Sequence, residues 1–202
     1  MLCLTNAGCR LDSAQRRVQD AKHDTTIQRA PTSFVRAVIV GDHQISLDST
    51  ATLASVQAIL GQRNVVLPED HDGFSSVCYV IASPRGKQLL WLQSNEMGGR
   101  DQKVLGFVLS AVGPDENANC LAAQPVSAQV RTDNGLMVGM MLDALIAVMG
   151  RPASDSGGVY MFEHSGRVEK PGLGVFDATG TLRVVAPQGV VVELRGWYVL
   201  TS

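Results

Sequence analysis

The stretch Asp48-Ser49-Thr50-Ala51-Thr52-Leu53-Ala54-Ser55-Val56-Gln57-Ala58-Ile59-Leu60-Gly61 decides how the chain is read. Leu53, Val56, Ile59 and Leu60 recur at helical spacing, so one side of a short helix is apolar. The polar run Asp48 to Thr50 offers side-chain oxygens to the unpaired N–H groups of a first turn, and Gly61 offers the left-handed residue that ends a helix. The pattern returns at Met141-Leu142-Asp143-Ala144-Leu145-Ile146-Ala147-Val148-Met149-Gly150-Arg151-Pro152. There Leu142, Leu145, Val148 and Met149 take the places of Leu53, Val56, Ile59 and Leu60, and Gly150 takes that of Gly61. A pattern that recurs along a chain predicts a repeated structural unit.

Alternating apolar stretches follow each helix, punctuated by glycine, asparagine and proline, which predicts antiparallel hairpins rather than crossovers. After the first helix these are Val77 to Ala82, a turn at Ser83-Pro84-Arg85-Gly86, Gln88 to Gln93, a loop over 95–101, and Val104 to Leu109. After the second they are Val159 to Glu163, Leu173 to Phe176, a turn at Asp177-Ala178-Thr179-Gly180, Leu182 to Ala186, and Val190 to Leu200. Strands from Phe34 to Val40 and from Val126 to Val130 are expected to join the first and second sheets. The expected fold class is therefore α+β: two repeated units over 31–122 and 123–202, each a helix packed on a small antiparallel β-meander. Residues 1–30 read as a flexible leader.

The chain has 202 residues, 45% of them apolar and 18% charged, with a net charge of −2, so it can bury a core and is not disordered by composition. There is no basic footprint for a phosphate backbone, and nucleic acid is not an expected partner. No run approaches the roughly 18 apolar residues that a membrane-crossing helix needs.

Two of the four cysteines, Cys3 and Cys9, lie in the leader. Of the others, Cys78 stands in a strand-like run and Cys120 follows the loop Pro114 to Asn119. A Cys78–Cys120 disulfide agrees with an exported protein, the alternative being buried free thiols. Ala7-Gly8-Cys9 followed by polar residues is similar to the end of a bacterial lipoprotein signal, which makes Cys9 a lipidation candidate, although Asn6 stands where that family has Leu. Such a match places the chain in the periplasm or on the outer membrane, with secretion as the other location.

The helix ending in Leu60-Gly61 or Met149-Gly150-Arg151-Pro152, each followed by an antiparallel meander, resembles the tandem helix-plus-sheet repeat of the beta-lactamase inhibitor protein. It also resembles the related single unit of the small lipoprotein of the outer-membrane barrel assembly machinery. The resemblance covers roughly residues 45–200 and stands at the level of architecture. It implies a periplasmic or secreted binding domain and no substrate.

Catalytic equipment is scarce. No G-x-S-x-G elbow occurs, and Gly98-Gly99 and Gly157-Gly158 lie between strands rather than opening a helix that would cradle phosphate. His23, His43, His71 and His164 are scattered without zinc spacing. Enzyme readings reduce to Cys78 paired with His71 or His164 as a thiolate, or a divalent ion held by Glu69, Asp70 and Asp72 around His71. No cofactor or metal is expected. The methionines Met137, Met140, Met141 and Met149 are read as core.

Alternation places Leu89, Trp91 and Gln93 on one face of a strand and Leu90 and Leu92 on the other. Only one face can cover a helix, so the other, joined by Tyr79 and Phe107, becomes a candidate partner surface unless a domain interface buries it. The loop tip with Glu96, Met97 and Arg100 on a glycine hinge suits insertion into another protein's cleft. The expected function is a non-enzymatic exported protein, monomer or weak dimer, that neutralises an enzyme or toxin as an inhibitor or immunity protein. The alternatives are an envelope lipoprotein that scaffolds outer-membrane or cell-wall assembly, and a cysteine- or metal-dependent hydrolase.

Overall fold

A computed structural model describes residues 34–48, 50–61, 75–94, 102–111 and 120–201, without the side chains of 121, 122 and 124–127. Helices α1 (Leu53–Leu60) and α2 (Leu142–Met149) form at the two apolar stripes. Helix α1 starts at Thr52, later than the polar run suggested, because Thr50 donates to the Asp48 carboxylate from both N and Oγ1 and holds a turn there. Thr52 Oγ1 then accepts from Ser55 N, while Ser55 Oγ accepts from Thr52 N, a reciprocal cap. Gly61 ends the helix at φ 88°, its N–H reaching the Gln57 carbonyl. Helix α2 has no side-chain cap and is held by its buried face of Leu142, Leu145 and Met149. Of the methionines expected in the core, Met149 is buried, Met137 and Met140 are half-buried, and Met141 is exposed.

The strands are β1 (Ala37–Val40), β2 (His43–Ser46), β3 (Ser75–Ser83), β4 (Gly86–Ser94), β5 (Gly106–Ala111), β6 (Leu121–Ser127), β7 (Val130–Thr132), β8 (Ser154–Ser156), β9 (Val159–Lys170), β10 (Gly174–Val185) and β11 (Glu193–Thr201). They form a three-stranded sheet in the order β2-β1-β7 and an eight-stranded sheet in the order β6-β3-β4-β5-β11-β10-β9-β8.

This corrects the expected α+β arrangement of two repeated helix-plus-meander units. The protein is mostly β, and its ladders cross the expected boundary at 122/123. Strand β5 pairs with β11 from Gly106↔Trp197 to Ser110↔Glu193, β1 pairs with β7, and β6 adds to β3 in parallel. Residues 31–202 form one compact unit. The physical reason lies in β5: Phe107, Val108 and Leu109 are all buried, so a meander ending there would leave an apolar edge with unpaired backbone groups.

Strand β10 runs straight through 177–180, where a turn was expected. Gly180 serves packing instead: the Phe34 ring lies 2.8 Å from where its Cβ would be. Phe34 also meets Tyr198 and His164 edge-on. The opening strand begins at Ala37 rather than Phe34 and belongs to the small sheet, not the large one.

One face of the large sheet carries the core. Registered rows such as Tyr79–Leu90–Leu109–Leu194–Val184 and Val77–Leu92–Phe107 point to this side, and all are buried. Leu53, Val56 and Leu60 of α1, Leu145 and Met149 of α2, and Val38, Val40 and Ile45 of the small sheet join them in one continuous cluster. Among the described residues no helix is long and apolar enough to cross a membrane.

Candidate functional site

Directly paired residues on neighbouring strands present their side chains to the same face. Cys78 pairs with Trp91, Trp91 with Val108, Val108 with Arg195, Arg195 with Arg183, and Arg183 with Met161. This row runs across the face of the large sheet turned away from the core. On one side of it lies the row Leu89–Ser110–Glu193–Val185, and on the other Gln93–Gly106–Trp197–Thr181. Both tryptophans of the chain therefore stand on this one face.

Between the rows is an open concavity of ≈ 540 Å³, walled by Leu89, Trp91, Val108, Val192, Glu193 and Arg195. Trp197 lies across β5 because Gly106 has no side chain: a Cβ there would come within 2.7 Å of the indole. Charge is concentrated at one point. Arg183 Nη1 donates to Glu193 Oε1 at 2.7 Å, and Arg195 Nε stands 3.9 Å from the same oxygen. One carboxylate thus serves two guanidinium groups that face each other across the β10–β11 ladder, and the trio keeps a net positive charge.

Cys78 and Cys120 are joined by a disulfide with Cα atoms 5.0 Å apart. It ties the start of β6 to β3 beside Trp91. A bonded Cys78 offers no thiolate, which removes the thiol version of the hydrolase reading. His164 lies on the core side of the sheet, opposite Gly180, and not on the face of Cys78. The loop with Glu69, Asp70, His71 and Asp72 lies outside the described residues, as do Glu96, Met97, Arg100 and Cys9.

Of the expected partner-binding residues, Trp91 and Leu89 come together as walls of the concavity. Tyr79 and Phe107 do not join them. Tyr79 pairs with Leu90 and Phe107 with Leu92, which puts both on the core face, each with no exposed surface. Burial pushes the Tyr79 phenol up to about 12. Its hydroxyl has no hydrogen-bond partner among the described residues. Arg195, Trp197 and Val108 belong to the site and were not singled out from the sequence. The alternation Glu193-x-Arg195-x-Trp197 against Leu194, Gly196 and Tyr198 was the signal for the first two.

Compared with protein-family models, curated proteins and solved structures, the chain matches none.

Proposed function

We propose that this chain is a non-enzymatic binding protein that docks another protein on the outer face of its eight-stranded sheet and neutralises it, as an inhibitor or immunity protein does. The observation that carries the reading is an open concavity walled by Trp91 and Arg195, with Trp197 and Arg183 beside it on the same sheet face, a face that neither described helix covers. A sheet face turned to water is ordinarily polar. Tryptophan and arginine are the side chains that most often carry binding energy at protein interfaces, Trp through desolvated area and Arg through planar, directed donors. The ladder that holds them is a rigid base, stiffened beside Trp91 by the disulfide. That disulfide suits an oxidising compartment, in keeping with an exported protein.

The test is affinity capture from envelope extracts with oxidised wild-type chain as bait and a Trp91→Ala/Arg195→Glu double variant as control. The reading expects a single stoichiometric partner held by the wild type and lost with the variant. Recovery of the same proteins by both baits, at equal yield, overturns it.

A further inference from the structure

The arrangement of charge at the wall of the concavity says what the partner must bring. Arg183 and Arg195 stand directly opposite each other in the ladder, a like-charge pair that is unfavourable unless a carboxylate is shared between them. Glu193 supplies it, but unequally. Its Oε1 is engaged by Arg183 at 2.7 Å, while Arg195 Nε is 3.9 Å away, beyond hydrogen-bond distance, and its side chain is 50% exposed. The Arg195 guanidinium therefore keeps a free set of donors at the wall of the concavity, with apolar Val108 paired to it on one side and Trp197 two residues along the strand.

Resting on the docking reading above, we infer that this face selects a partner protein that inserts a carboxylate side chain with an apolar neighbour. The incoming carboxylate binds Arg195 in the bidentate mode that guanidinium favours. The apolar neighbour packs on the half-buried Trp91, which Leu89 and Val108, themselves buried, support from beside it. Glu193 acts as an internal competitor: it steadies the two arginines while the face is empty and lowers their attraction for an incoming carboxylate. Removing its charge is accordingly expected to strengthen binding, the opposite of what loss of a contact residue does.

The experiment is a nuclear magnetic resonance titration of the oxidised full chain with N-acetyl-Leu-Asp amide and, separately, its neutral analogue N-acetyl-Leu-Asn amide. The arginine Nε–Hε and tryptophan Nε1–H signals are followed. The Asp probe is expected to move the Arg195 and Trp91 signals in a saturable way, and the Asn probe to bind more weakly by about three- to fivefold, the scale of one half-exposed ion pair. Glu193→Gln should tighten the Asp probe by a similar factor, and Arg195→Leu should erase the difference between probes. The dispersion of each variant's spectrum reports that it is folded, and Arg183→Met serves as a second variant with a smaller loss. Equal response to both probes overturns the carboxylate selection while leaving the docking reading intact. Weaker binding of the Asp probe in Glu193→Gln, or no response of Arg195 to either probe, also overturns it, whereas failure of docking itself shows in the capture experiment.

Discussion

Removal of the Cys78–Cys120 disulfide has a calculable consequence. The bond closes a loop of sequence separation 42 that contains β4, β5 and most of the β3 strand. Loop-closure entropy for that length corresponds to about 4 kcal/mol lost from stability when the crosslink is absent from the unfolded chain. At about 2–4 °C per kcal/mol for a domain of this size, melting should fall by roughly 8–16 °C. The loss should begin locally. Strand β6 is an edge strand attached to the sheet by a parallel ladder with β3 whose register breaks between Val80 and Ala82, so the crosslink beside it is a large part of what holds it. The assay is thermal unfolding by circular dichroism of the oxidised chain and a Cys78→Ala/Cys120→Ala variant, each with and without reductant. The wild type should lose stability on reduction and the variant should not respond. Peptide mapping of the unreduced protein should recover the two cysteines linked, distinct from Cys3 and Cys9. Melting temperatures within about 2 °C of each other, or Cys78 recovered as a free thiol, would refute the reasoning.

Other perturbations test the packing and the site. Tyr79→Phe removes a buried hydroxyl that has no partner among the described residues, so it should be neutral or stabilising by about 1–2 kcal/mol, as read by urea melts at pH 7. Because the folded phenol titrates at about 12 against an ordinary 10, the stability it confers is complete below pH 10 and lost as pH rises from 10 to 12. Tyr79→Phe should flatten that alkaline fall, and an unchanged slope would contradict the burial argument. Gly106→Ala places a methyl group where the Trp197 indole lies, so the ring must shift: tryptophan emission should change, partner capture weaken, and stability fall by about 1–3 kcal/mol. Unaltered emission would show that Trp197 does not rest on β5. For Asp48, burial raises the pKa, but hydrogen bonds from Thr50 and the charge of Lys170 outweigh it and hold the carboxyl below its ordinary value. The stability this gives is present above about pH 4 and lost as pH falls through the depressed value, so Lys170→Met should cost stability at neutral pH and converge with wild type in acid. A constant gap across that range would rule out the Asp48–Lys170 pair as its source.

Local structure was legible where neighbours in sequence supply it. Both helices appear because the apolar stripe and the following glycine are contiguous signals, and the β3–β4 hairpin appears because Pro84 and Arg85 make its turn. That two-residue turn also fixed the register: Ser83↔Gly86 forces Tyr79 opposite Leu90, so its burial on the core face was available from the sequence and was missed. The large sheet was not legible. Pairing of β5 with β11 joins segments far apart in the chain through backbone hydrogen bonds, which no residue type announces. Asp177 to Gly180 has the composition of a turn, yet its glycine answers to Phe34, a contact set by the tertiary fold. For the site, alternation alone identified Trp91 and Leu89. Arg195 and Trp197 enter it only because β11 lies beside β5, which is again a long-range fact.

The most direct test of the docking face is site-specific photo-crosslinking. Benzoylphenylalanine is placed at Gln93, at the margin of the concavity, and in a separate chain at Ala54, exposed on α1 and remote from that face in the layering of the fold. Irradiation in envelope extract should give a single stoichiometric adduct from position 93 and none from position 54. An adduct of equal yield from position 54, or none from position 93 while the same protein is still captured, would contradict the assignment of the outer sheet face as the binding surface.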